Sequence, residues 1–253
     1  MKKLSVFFLL FILFIGNTVH AQISKNRRTA TKRGTTKTNL TISYNIIVLN
    51  SSKKTGVEES YNGGNKTIFI SGDKARLRLV SLMRIQSIFL YPADSKKKIA
   101  TIVKESGTGK YKMNLTAAQY AALNSKYDSI QCELTEDTLT FLNYLCKKAI
   151  IHLKDEHSIT AWYCPELKAV AKNIEPAFAC IPGLVLHYEV VNKKKSLVFT
   201  VASISNKPVD PNLFKIPSKG YKIKKLCSTC PNKEVEMDDE DDSLNDTEEE
   251  KKE

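Results

Sequence analysis

Beyond residue 15 the 253-residue sequence contains no long apolar run. The one run it has, Leu4 to Ile15, falls short of the about 20 apolar residues that span a bilayer. No transmembrane segment is therefore expected once the N-terminus has been processed. The Gly-x-Ser-x-Gly elbow of many serine hydrolases is missing. Gly107-Thr108-Gly109-Lys110 lacks the first glycine of a phosphate loop and runs into Tyr111-Lys112-Met113, which reads as a strand. The four histidines do not cluster. His152 and His157 flank one turn with Asp155 and Glu156, and solvated turn residues explain that group better than a metal does. His187 stands alone beside Tyr188 and Glu189. Cys227-Ser228-Thr229-Cys230 has no second Cys-x-x-Cys to complete a zinc site. It precedes an acidic tail, where a redox pair would open a helix of a βαβ unit. No catalytic residue, metal or cofactor is assigned, and a non-enzymatic protein is expected.

What is present begins with an export signal. Lys2 and Lys3 precede the apolar run, and Val19 and Ala21 are small enough for a cleavage site. Residues 1–21 are read as a signal peptide and the mature chain is expected to start at Gln22; the rival reading is an uncleaved anchor. No Cys follows the small residues, so lipid attachment there is not supported. A periplasmic or secreted protein is expected, with outer-membrane association left open.

Charge is unevenly placed. The whole chain carries +12, with 39 basic and 27 acidic residues. The tail Pro231 to Glu253 carries −9, which leaves +19 on Gln22 to Cys230. No zinc-finger, helix-turn-helix or RNA-binding signature accompanies the lysines, which gather at expected turns, so nucleic acid is disfavoured. An anionic surface or a protein partner of the envelope fits such asymmetry better.

The path of the chain divides in four: signal peptide 1–21, basic disordered spacer 22–39, β domain 40–226, and a Cys-x-x-Cys with disordered acidic tail 227–253. Ile42, Tyr44, Ile46 and Val48 alternate as a half-buried strand does. Gly72-Asp73 marks a two-residue hairpin turn. Thr116 and Gln119 have the spacing of a capping box ahead of an Ala-rich helix. Hairpins are expected around Lys154-Asp155-Glu156 and around Lys193-Lys194-Lys195. Phe214 and Ile216 are expected to close the core. Nine or ten short strands at this spacing predict a mainly β fold, an antiparallel half-open barrel with one or two short covering helices.

Six cysteines remain after processing, which allows 15 pairings. Counting outward from the turn at Lys154 places Cys146 opposite Cys164, so a cross-strand bridge is feasible and two reduced core thiols equally so. Cys227 and Cys230 suit a local bridge or links to Cys132 and Cys180.

Cys180-Ile181-Pro182-Gly183-Leu184-Val185-Leu186-His187-Tyr188-Glu189 resembles the signature of the GLPGLI family of exported Bacteroidetes proteins. Leu145-Cys146-Lys147-Lys148-Ala149, Thr160-Ala161-Trp162-Tyr163-Cys164-Pro165-Glu166-Leu167 and the stretch Val209-Asp210 to Gly220-Tyr221 resemble further motifs of that family. Ile181 and Val185 replace its usual Leu and Ile, and Asn143-Tyr144-Leu145 stands where Gly-Tyr-Lys is usual. The resemblance covers about Thr41 to Lys225. It implies a layout similar to the LolA/LolB lipoprotein-carrier superfamily, an unclosed barrel with a helical lid over an apolar cavity, and no reaction. In Ile181-Pro182-Gly183-Leu184-Val185 a structural role is expected. Pro182 ends one segment, Gly183 permits an unusual backbone angle, and Leu184, Leu186 and Tyr188 then share one strand face.

Two functions compete, ahead of a weaker third, a thiol or hydrolytic enzyme. One is an envelope binding protein that holds a lipid or other apolar ligand on a curved sheet, covered by residues 116–127 and 139–145. The other is an interaction or scaffold protein with a filled barrel, using its basic core and acidic tail.

Overall fold

Alternation of apolar and polar residues builds nearly every strand. The computed structural model describes residues 38–49, 60–92, 98–107, 109–154, 157–192 and 195–226. The expected signal peptide, most of the spacer, Cys227, Cys230 and the acidic tail lie outside the described residues.

The strands are β1 (Asn39–Leu49), β2 (Asn65–Ser71), β3 (Lys74–Val80), β4 (Arg84–Leu90), β5 (Ala100–Ser106), β6 (Gly109–Leu115), β7 (Gln131–Phe141), β8 (Tyr144–His152), β9 (Ser158–Cys164), β10 (Leu184–Asn192), β11 (Lys195–Ser205) and β12 (Lys222–Ile223). They form one unclosed sheet in the order β12-β6-β5-β4-β3-β2-β1-β11-β10-β9-β8-β7. All neighbours are antiparallel except the short β12, which runs parallel to β6. The mainly β, unclosed antiparallel architecture is thus the one expected, with twelve strands.

The turns follow local chemistry. Gly72 has φ 63° at the β2–β3 turn, as the Gly-Asp pair predicts. At the β7–β8 turn, Leu142 and Asn143 both take positive φ, 49° and 65°, so a tight two-residue turn forms without glycine. Residues 139–145 therefore belong to this hairpin and do not cover the sheet. The covering helix is α1 (Ala117–Leu123). Thr116 accepts from Gln119 N, and the Gln119 side chain accepts from Thr116 N, completing the capping box.

Paired residues share a face. Ile46, Phe199, Tyr188 and Ala161 follow one another across the inner face, with Tyr44 beside Ile46 on β1, and all five are under 10% exposed. Residues 165–183, between β9 and β10, lie against that face through Ile174, Glu175 and Ile181, all buried. The outer face carries the other end of the chain. Arg76 Nη1 donates to Leu213 O at 3.0 Å and Lys112 Nζ donates to Pro217 O at 3.2 Å. Val209 is the buried residue of this closing segment, while Phe214 and Ile216 are half-buried. They pack behind the sheet because Arg76 and Lys112, their anchors, alternate with the inward residues Leu77 and Met113.

The motif at residues 181–185 differs from expectation in two respects. Gly183 does not take a left-handed φ; a Cβ there would sit 2.4 Å from Cys164 O, so close backbone approach requires glycine. A bulge between Val185 and His187 also breaks the alternation. Val185 and Tyr188 consequently share the inner face through their partners Tyr163 and Ala161, whereas Leu184 pairs with Cys164 out of phase with them and is itself buried. Leu184, Leu186 and Tyr188 do not form one stripe.

Candidate binding face

The inner face of β2–β6 is a ladder of cross-strand rows. The row nearest α1 runs Ile70, Ala75, Leu90, Ala100, Leu115, and every member is at most 9% exposed. α1 follows Leu115 directly, and its Tyr120 and Leu123 pack into the same cluster. The next row runs Ile68, Leu77, Ile88, Ile102, Met113. Ile68 is buried, and the other four are half-buried. The third row runs Lys66, Leu79, Gln86, Lys104, Tyr111 and turns polar. An apolar strip is thus left partly open between a closed row and a polar row. Its length from β2 to β6 is four strand spacings, about 19 Å at the usual separation.

Lys66 stands at one end of this strip, where the period of β2 calls for an apolar side chain. Its ammonium donates to Glu175 Oε1 and, at 2.9 Å, to Tyr188 OH. Both side chains of the Lys66–Glu175 pair are under 8% exposed. The rings of Tyr44, Phe178, Tyr188 and Phe199 lie 4.8 to 5.9 Å from the same nitrogen. Burial alone would lower the Lys66 pKa, but the charge of Glu175 and then the Tyr188 hydroxyl outweigh it, and the net direction is upward. Tyr188 is pushed up to about 12, chiefly by burial and against the pull of Lys66. Tyr44, raised by burial and then by Glu175, donates to Val185 O at 2.8 Å. Lys66 is therefore a charged ammonium at neutral pH, donating to Glu175 and Tyr188.

Residues 165–183 are held by three separate contacts. Cys180 is bonded to Cys132 of β7. Tyr120 OH of α1 donates to Asn173 O at 2.9 Å. Glu175 supplies the ion pair. Beneath this segment the interior is packed: the pocket lined by Val170, Glu175, Phe178, Gly183 and Val185 offers about 10 Å³, room for about one water. On the inner face of β2–β6 the half-buried strip remains as accessible apolar surface.

Gln86 Oε1, in the third row, is sealed from solvent with no hydrogen-bond partner. Among the described residues no group of three metal-ligating side chains occurs. His152 Nε2 lies 3.8 Å from Glu133 Oε2, and His187 Nδ1 is 2.9 Å from Thr200 Oγ1. Asp155 and Glu156 fall outside the described residues.

The candidate bridge Cys146–Cys164 is not made. Both are free, buried thiols. The β8–β9 register, with Lys147 opposite Tyr163, does bring them opposite each other, but Cys146 Sγ turns to Tyr144 O at 3.6 Å. Among the described residues a disulfide joins Cys132 to Cys180, and so an edge strand to the segment over the inner face.

No family model and no curated protein sequence matches this chain, so the likeness of residues 180–189 to the GLPGLI signature stays a resemblance. Among solved structures the chain is similar to PNGF-II at 16% identity and a TM-score of 0.42, over 75% of this chain and 32% of that one. The chain thus spans about a third of the length of PNGF-II. It is also similar to the lipoprotein LppX of Mycobacterium tuberculosis, at 8% identity and TM-score 0.30 over 67% of this chain and 88% of that one. A third is the LolA superfamily protein NE2245 of Nitrosomonas europaea, at 6% identity and TM-score 0.29 over 72% and 91%. At such scores these likenesses carry no argument about activity.

Proposed function

We propose that this chain is a non-enzymatic binding protein of the bacterial envelope that holds an apolar group on the inner face of its unclosed sheet. One observation carries the reading: Leu77, Ile88, Ile102 and Met113 form a continuous half-buried apolar row on four adjacent strands. Side chains in a closed core would be fully buried, and a solvated sheet face would alternate to polar residues here. The export signal expected at residues 1–21 supplies the compartment.

Titration with an apolar fluorescent probe, with native mass spectrometry after mild purification, tests this. Probe affinity should fall at least tenfold in Ile88→Glu and Ile102→Glu while the β-sheet circular dichroism persists. Unchanged affinity in both would overturn the reading.

A protein-interaction role is the second reading, favoured by the β7–β8 hairpin. β7 is an edge strand, and Leu134, Leu139, Leu142 and Leu145 are 44–61% exposed. Loss of an envelope partner in Leu142→Lys and Leu145→Lys, with probe binding intact, would favour it.

A further inference from the structure

The Lys66–Glu175 pair specifies the polar end of the ligand, if the half-buried strip is the binding face proposed above. We propose that Glu175 occupies the place of a ligand carboxylate. The ligand is an acyl chain ending in a carboxylate, with its chain along Leu77, Ile88, Ile102 and Met113. Its carboxylate accepts from Lys66 Nζ and Tyr188 OH once the Glu175 side chain is displaced.

The two charges come from different layers. Lys66 belongs to β2, in the middle of the sheet, and cannot leave without unmaking a strand. Glu175 belongs to the segment 165–183 that lies over the sheet, and precedes the short 3₁₀ turn Pro176–Phe178. Its carboxylate is the exchangeable half of the pair. Simple opening of the segment would leave a buried ammonium unpaired, which is costly. Exchange of one carboxylate for another keeps the charge count and the hydrogen bonds at Lys66, and Glu175 regains water. A neutral head group offers no such exchange.

The sheet retains most of the ammonium's surroundings after exchange. Tyr44, Tyr188 and Phe199 are strand residues, with rings 4.8 to 5.7 Å from Lys66 Nζ. Tyr188 OH is already bonded to Lys66. Lys66 is paired with Leu79, and its β2 neighbour Ile68 with Leu77. The head-group site therefore adjoins the end of the strip, whose span of about 19 Å suits an extended chain. The Cys132–Cys180 bond lies five residues beyond Glu175 and the Tyr120–Asn173 hydrogen bond two residues before it, so the segment stays tethered on both sides while the Glu175 side chain exchanges.

Displacement of an apolar fluorescent probe by dodecanoate and by dodecan-1-ol tests the proposal in the full chain. Dodecanoate should compete at least tenfold more strongly than the alcohol. Glu175→Gln removes the internal competitor and keeps Lys66, so it should strengthen dodecanoate at least fivefold and leave the alcohol unchanged. Lys66→Met with Glu175→Leu, which leaves no unpaired buried charge, should abolish the preference for dodecanoate. Equal competition by acid and alcohol in the wild type, or an unaltered preference in either variant, overturns the carboxylate site but spares the apolar strip. Failure of both compounds to displace the probe overturns both.

Discussion

Lys66 and Glu175, 109 positions apart in the chain, form an ion pair buried at the junction of the sheet and the segment that covers it. Removing one partner should leave the other charge uncompensated. Lys66→Met and Glu175→Leu are each expected to lower stability by about 3–5 kcal/mol. The double variant should recover most of that loss, since an apolar replacement of a buried pair is often neutral or better. Urea unfolding of the four proteins measures it as a double-mutant cycle, and additive losses would contradict the pairing. Because the Lys66 pKa is raised on folding, its contribution is complete below the unfolded lysine value, about 10.4. It is lost only as pH rises beyond that.

How far this pair was legible in the sequence is instructive. The inner-face alternation of β1, the Gly72-Asp73 turn and the Thr116–Gln119 box could all be read because each is local. Lys66 carries a local signal: in Lys66-Thr67-Ile68-Phe69-Ile70 it keeps phase with Ile68 and Ile70, both buried. A lysine in phase with a buried stripe needs an acid, but nothing local says which. Glu175 follows Ile174 in a stretch without strand period, so only the tertiary path joins them. Cys132–Cys180 was hidden for the same reason, being one pairing in fifteen. The bulge at Val185/His187 inverts faces in mid-strand, which strict alternation cannot anticipate.

The Cys132–Cys180 bond closes 48 positions of chain and fastens residues 165–183 to the edge strand β7. Cys132→Ala with Cys180→Ala is expected to lower stability by about 2–4 kcal/mol. Limited proteolysis should then cut within 165–183 well before the sheet, which is the local signature of a loosened segment. Cutting that begins in β7 or β8 would contradict this order.

Gly183 admits no Cβ, because the carbonyl of Cys164 would lie 2.4 Å away. The obstacle is backbone, so no side chain can rotate aside. Gly183→Ala is expected to cost about 1–3 kcal/mol by overpacking, read from the thermal or urea midpoint. The position has ordinary backbone angles, so the penalty is steric; a variant as stable as wild type would place the two strands farther apart than described.

Gln86 tests the binding face from a different side. Its Oε1 is buried without a partner, a state that costs about 1–3 kcal/mol for a polar group. Gln86→Met keeps similar length and removes the orphan acceptor. Stability should rise by about 1 kcal/mol, and the apolar probe should bind more tightly because the row beside Leu79 becomes apolar.

Cys146 offers a pH test of the packed interior. Burial and then the neighbouring Cys164 push its thiol up to about 11, against a backbone hydrogen bond from Phe141 that lowers it. The ordinary thiol value is 9.0, so folding favours the protonated form. A group raised on folding contributes fully below its unfolded pKa, and the contribution fades as pH climbs from about 9 to about 11. Alkylation by iodoacetamide should therefore leave Cys146 untouched at pH 8 in the folded protein and proceed at once in urea. Cys146→Ala should flatten the fall in stability over that alkaline window, although it also leaves a small void. Rapid labelling of folded Cys146 at pH 8 would show that β8 opens far more readily than its burial allows.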